Sequence, residues 1–131
     1  CIANQRTTAM STSYSIVVTT YSKEETGSRI IDALLSAKLA ACVQVVPIRS
    51  FYTWKGKVLK DREKLMLIKA RSGDFGKIRA TILGNHDYEL PEIISVRIDR
   101  GLAGYLRWID GVTRRAGSRR HRTARPGKVL P

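Results

Sequence analysis

Cysteine is almost absent from this chain, with only Cys1 and Cys42 among 131 residues. A covalently stapled small fold needs several cysteines at regular spacing, so a disulfide framework is excluded. No Cys-x-x-Cys occurs, and two histidines, His86 and His121, are too few for a Cys/His zinc cage. Long apolar runs are also missing, because Lys, Arg or Ser breaks each one well short of the length a bilayer demands. Residues 1–15 lack the apolar stretch of a secretory signal, and the expectation is a cytoplasmic protein. A phosphate-cradling loop is absent too: Gly101-Leu102-Ala103-Gly104 has neither the spacing nor the following lysine of that motif.

Acids are scarce, 11 against 24 Lys and Arg, for a net charge of +13. The excess is unevenly placed. Seven of the bases (Arg114, Arg115, Arg119, Arg120, Arg122, Arg125 and Lys128) fall in residues 111–131 with no acid, and Arg6 stands alone in residues 1–13. The remaining 16 bases and 11 acids give residues 14–110 a charge of only +5. The tail has no interleaved aromatics for base stacking, so a nucleic-acid partner is not indicated. Met10, ahead of Ser-Thr-Ser, is a candidate start of the natural chain.

What is present is one domain's worth of periodic sequence, 14–110, between a polar arm (1–13) and a basic tail (111–131), both expected to be disordered. Ile16-Val17-Val18-Thr19-Thr20 reads as a buried strand. Ser22 and Glu25 have capping-box spacing, and a helix follows to about Leu39 with Ile30, Ile31, Leu34 and Leu35 on one face. A strand opens at Cys42; Pro47 marks an edge or a bulge, and Phe51 to Trp54 resume β character. Trp54-Lys55-Gly56-Lys57 predicts a hairpin turn, and Leu65 to Ile68, apolar on both faces, predict a strand buried on both sides. Ser72 begins a second helix with Phe75, Ile78, Ile82 and Leu83 at helical spacing, closed by Gly84-Asn85. Ile93 to Ile98 form a fourth strand, and Leu102, Tyr105, Leu106 and Ile109 the stripe of a last helix. The order βαββαβ plus one helix is the α+β, ferredoxin-like arrangement, with an unusually long β2–β3 hairpin and a short C-terminal helix. Hairpin strands that overhang a small domain are an aggregation hazard unless copies pair with them.

Several words of this sequence fall in an order that resembles the CutA family. They are Leu39-Ala40-Ala41-Cys42, Tyr52-Thr53-Trp54-Lys55-Gly56-Lys57, Glu63-Lys64-Leu65-Met66, Lys69, His86-Asp87-Tyr88-Glu89-Leu90-Pro91-Glu92-Ile93, Gly101, and Tyr105-Leu106-Arg107-Trp108. The resemblance covers Tyr14 to Asp110 and neither tail. It implies a tight, heat-stable homotrimer joined through the hairpin, and kinship in architecture with PII proteins, which bind effectors between subunits. It further implies a part in tolerance of copper and other divalent metal ions, and no enzymatic activity.

Two candidate sites follow. Cys42 and His86 supply one thiolate and one imidazole, soft donors suited to copper. The resemblance implies a first-strand cysteine as third ligand, and Thr19 or a neighbour stands there instead. The plainer reading makes Cys42 a small buried core residue and His86 a ring satisfying hydrogen bonds near a helix end. A surface metal site from His86, Asp87, Glu89 and Glu92 competes with simple solvation of those charges. The second site is an intersubunit cleft using Tyr52, Trp54, Glu63, Lys69, Tyr88, Glu89, Tyr105 and Trp108, aromatic walls with a few placed charges. Its plainer reading is interface packing, where aromatics are enriched anyway. Catalysis by Cys42 and His86 lacks an orienting carboxylate and an electropositive setting, so the protein is expected to act by binding. The function expected is a homotrimeric response to divalent metal; the alternatives are a PII-like sensor of a small metabolite and a trimeric scaffold for a protein partner.

Overall fold

The computed structural model describes residues 12–115. Cys1, the arm up to residue 11 and the bases beyond Arg115 lie outside that range.

β1 (Tyr14–Tyr21) alternates between half-buried and buried residues, sending Ser15, Val17 and Thr19 to one face. α1 (Glu24–Ser36) lays Ile30 and Leu34 on that face and keeps Glu24 and Glu25 at its positive end. The expected Ser22 cap is not made. Lys23 is the N-cap, without a side-chain hydrogen bond, and the Ser22 hydroxyl instead meets the Tyr88 hydroxyl at 2.5 Å. The helix also stops at Ser36, short of Leu39, because Lys38 turns into the left-handed region with φ 58°.

β2 (Cys42–Trp54) and β3 (Lys57–Arg71) form one uninterrupted antiparallel ladder, from Cys42 opposite Lys69 to Trp54 opposite Lys57. Lys55 and Gly56, both in the left-handed region at φ 52° and 80°, make the two-residue turn that matches the right-handed twist of the flanking strands. Pro47 makes no bulge, since it pairs in register with Lys64. It is tolerated because β2 is an edge strand.

A single 3₁₀ turn (Ser72–Asp74) precedes α2 (Phe75–Asn85), which begins three residues later than Ser72 predicts. Ile78 and Ile82 are buried, but Leu83 is 51% exposed, one helical step of about 100° off the stripe. β4 (Ile93–Arg97) and α3 (Ala103–Val112) complete the chain. Of the expected α3 stripe only Ile109 is buried, while Leu102 and Tyr105 stay exposed.

The sheet order is β2-β3-β1-β4 with all pairs antiparallel, the ferredoxin-like topology. Residues opposite one another share a face, so the registers sort the sheet into two sides. Val17, Ile68 and Val43 form one row under the helices, and Thr19 and Met66 the next. Together with Ile30, Leu34, Ile78 and Ile82 they make the core. The other side carries Ile16, Val18, Leu65, Leu67, Val46, Ile94 and Val96, and no helix covers that set: Ile94 and Val96 are 50% and 54% exposed.

Residues 111–115 belong to the fold and not to a tail. Arg115 grips Asp74 with two guanidinium nitrogens, at 2.9 and 3.1 Å, and donates to the Lys38 carbonyl at 3.2 Å. Arg71 donates to the Thr113 carbonyl at 3.1 Å and ion-pairs with Asp74 and Asp110. The bases that the sequence assigns to a solvated tail thus begin as a clamp that closes α3 onto the 3₁₀ turn.

Two substitutions test the core. The Thr19 hydroxyl is fully buried and is the one buried side-chain polar atom without a partner among the described residues. Thr19→Val keeps the shape and removes the orphan, so chemical denaturation should show a gain of about 1 kcal/mol. Gly27 packs against the Tyr21 ring so closely that a Cβ would lie 2.3 Å from it. Gly27→Ala should therefore destabilise by about 1–3 kcal/mol by overpacking, against the gain of about 1 kcal/mol that helix propensity alone predicts.

Candidate functional site

Past the helix layer the hairpin continues as a two-stranded ribbon, and strict alternation gives it two unlike faces. One presents Ser50, Tyr52 and Trp54 on β2, opposite Asp61, Leu59 and Lys57 on β3, with Glu63 one row inward. The loop 86–92 after α2 brings Tyr88, Glu89, Leu90 and Glu92 against this face. Together they line a groove of ≈ 670 Å³, rimmed by Phe51 and floored by Thr20 and Ser22. Asp61 and Glu63 of the hairpin and Glu89 and Glu92 of the loop give it four carboxylates, Phe51, Tyr52, Trp54 and Tyr88 give it four aromatic rings, and no Lys or Arg lines it.

Hydrogen bonds hold this arrangement. The Tyr88 hydroxyl donates to Glu63 Oε2 at 2.5 Å, and the Ser50 hydroxyl donates to Glu63 Oε1 at 2.6 Å. Because Tyr88 spends its proton on Glu63, Ser22 must be the donor in their contact, which gives a chain Ser22 to Tyr88 to Glu63. Tyr52 donates diagonally across the ribbon to Asp61, the residue opposite Ser50. Burial, followed by the hydrogen bond to Glu63, holds the Tyr88 phenol far above its ordinary range. The bond to Asp61 raises Tyr52 in the same sense.

His86 anchors the loop. Its side chain is 1% exposed. Nε2 lies 2.7 Å from the Thr20 carbonyl, and the Tyr88 backbone N–H donates to Nδ1 at 3.2 Å. A carbonyl can only accept and an amide N–H can only donate, so the ring is the neutral Nε2–H tautomer with its lone pair already used. Next to it Asp87 is pushed up by burial, but the Thr26 hydroxyl, its own backbone and Lys23 outweigh that and lower it overall.

Cys42 stands elsewhere. It is half-buried on the uncovered side of the sheet, in a row with Lys69, Ile16 and Val96. Ile16 and the His86 anchor Thr20 are four residues apart on β1, about 13 Å, with two further strand spacings between. The two soft donors do not converge within the chain, and His86 has no lone pair to give. Among the described residues no group of three or more His, Cys, Asp or Glu is placed to hold a metal ion, so the set His86, Asp87, Glu89 and Glu92 does not converge either.

The eight cleft residues divide into two groups. Tyr52, Trp54, Glu63, Tyr88 and Glu89 meet in the groove. Lys69, Tyr105 and Trp108 meet at the other end of the sheet: Lys69 Nζ lies 5.8 Å from the Tyr105 ring centre, and Tyr105 and Trp108 are 5.5 Å apart. Lys69 also donates to Gln44 at 2.7 Å. Glu63 and Lys69 are six residues apart on β3, about 20 Å. Sequence reading missed Ser22, Ser50 and Asp61. The last two were recoverable, since period two puts Ser50 with Tyr52 and Asp61 with Glu63.

A ferredoxin-like α+β domain with an overlong central hairpin and an acidic, aromatic groove defines the class of protein. The family profile described as CutA1 divalent ion tolerance protein matches residues 15–112. The chain belongs to that family. It is 40% identical over 100 residues to the protein CutA 1, chloroplastic, of Oryza sativa subsp. japonica, covering 76% of this chain and 56% of that protein. It is 43% identical over 95 residues to the divalent-cation tolerance protein CutA of Archaeoglobus fulgidus, covering 72% and 92%. The solved structure of the periplasmic divalent cation tolerance protein CutA from Archaeoglobus fulgidus superposes with a TM-score of 0.75 at 38% identity, over 77% of this chain and 99% of that one. This chain spans little more than half the length of the plant relatives it matches. No helix among the described residues is long and apolar enough to cross a membrane.

The raised Tyr88 gives a signed test. A phenol whose folded pKa lies above its unfolded value contributes stability that is present below about pH 10 and is lost as pH rises through the folded value. Urea midpoints of the protein should fall as pH is raised above about 10. Tyr88→Phe should flatten that slope while lowering the neutral-pH midpoint.

Proposed function

We propose that the protein acts in divalent metal-ion tolerance as a homotrimer, by binding and not by catalysis. The observation that carries this reading is the bare side of the sheet. Val46, Ile94 and Val96 are exposed in rows continuous with half-buried Ile16, Val18, Leu65 and Leu67. Contiguous apolar surface on that scale is rarely left in water. The same domain exposes β2 along its whole length as a sheet edge, the surface that chains use to pair. Copies of the chain satisfy both needs at once. In a head-to-tail ring the groove of one copy faces the Lys69, Tyr105 and Trp108 end of the next. That arrangement reunites the cleft residues which one chain keeps about 20 Å apart.

Copper or another divalent ion is the ligand this reading takes from the family's tolerance role. Cys42 is the soft donor with a free lone pair, whereas His86 must first give up the Tyr88 N–H. A second reading, a sensor of a small metabolite, is favoured by the groove itself. Its ≈ 670 Å³ lies in the range of about 300–1,000 Å³ that small-molecule sites occupy.

Sedimentation equilibrium should give three times the 14.7 kDa of one chain. Val96→Asp should shift the distribution toward monomer, and a wild-type monomer at micromolar concentration would remove the basis of the reading. Calorimetric copper titration should show Cys42→Ala weakening binding about tenfold, or about 1.4 kcal/mol, and His86→Ala having the smaller effect. Equal affinity in Cys42→Ala would take Cys42 out of the metal site.

A further inference from the structure

The opposite face of the hairpin ribbon is as basic as the groove is acidic. There Arg49 of β2 stands directly across the ladder from Arg62 of β3, with Lys64 and Lys60 diagonal to it on either side. Side chains directly opposed in an antiparallel pair have their Cβ atoms only about 5 Å apart, and like charges so placed are destabilising. An alternating surface ribbon has no packing need for two guanidiniums there. Among the described residues no acid forms an ion pair with Arg49, Arg62 or Lys60. Lys64 is bonded to Glu24, and the Arg49 guanidinium is set 5.6 Å from the Phe51 ring centre, a contact that orients it without neutralising it.

The two arginines and Lys64 line a cavity of ≈ 480 Å³ together with Ser22, Pro47 and Ile48. Glu63 also reaches this cavity, but its carboxylate belongs to the other face, where Ser50 and Tyr88 hold both oxygens. The geometry points to a binding site for a phosphate monoester, with the phosphate between Arg49 and Arg62 and the organic part along Pro47 and Ile48. An oxyanion between two guanidinium forks turns their repulsion into two charge-assisted contacts, and the planar fork suits a phosphate's tetrahedral oxygens. Lys64, held by Glu24, adds a further ammonium at the cavity wall. The cavity is larger than a bare phosphate fills, which is the reason for assigning an ester. The site uses none of the metal donors and shares only Ser22 and Glu63 with the lining of the acidic groove, and it stands whether or not the groove or a metal site binds anything.

The test is calorimetry and thermal shift on the full chain at fixed ionic strength, with inorganic phosphate, phenyl phosphate and acetate as probes and chloride as the balancing ion. Phenyl phosphate should bind saturably and more tightly than inorganic phosphate, and acetate should match chloride. Arg49→Gln and Arg62→Gln should each weaken phosphate binding about tenfold, as loss of one charged contact does. Both variants should melt no lower than wild type without phosphate, because each relieves the repulsion. Phosphate no better than chloride, acetate equal to phosphate, or wild-type affinity in both variants would overturn the site. Altered sedimentation of either variant would also overturn it, by assigning the arginine pair to contacts between copies.

Discussion

Everything distinctive here depends on one ladder of backbone hydrogen bonds, the unbroken register between β2 and β3. Thirteen residues of β2 pair without a bulge, yet only the inner part of that ladder has helices behind it. The inner rows are fixed by burial, because a slip by one residue would turn Val43, Ile68 and Met66 out of the core. The outer rows inherit that register through the ladder and the Lys55-Gly56 turn, without a core of their own. Burial at one end of the hairpin thereby dictates which side chains share a face at the other.

From that follow the two unlike surfaces. Even-numbered residues of outer β2 meet Asp61 and Glu63 on an acidic, aromatic face, and odd-numbered ones meet Lys60, Arg62 and Lys64 on a basic one. The groove is then completed by a single fixed loop. His86 is pinned between the Thr20 carbonyl and the Tyr88 amide, so Tyr88 arrives at Glu63 with its hydroxyl already aimed. His86 therefore acts through Tyr88, as the residue that positions the loop.

The strands, the hairpin and the ferredoxin-like order were legible because alternation and turn chemistry are local signals. Helix ends were less so. Ser22 has the spacing of a cap, but a tyrosine 66 residues away claims its hydroxyl, and no local rule sees that competitor. Arg115 reads as tail because its partner Asp74 is 41 residues distant. The candidate sites were legible as residue types and not as neighbours. Cys42 and His86 look like a pair only until register puts them on different rows. Asp61, in a charged run, shares the period-two face with Glu63, and the register that sets it opposite Ser50 brings it into the groove.

Amide hydrogen exchange along β2 addresses the central claim, that the overhanging hairpin and the bare sheet are covered by copies of the chain. The informative amides are those of Cys42 to Trp54 that do not bond to β3, since nothing within one chain protects them. Slow exchange in those amides at high concentration, becoming fast on dilution or in Val96→Asp, is the result the account predicts. Solvent-rate exchange of the same amides at every concentration would contradict it.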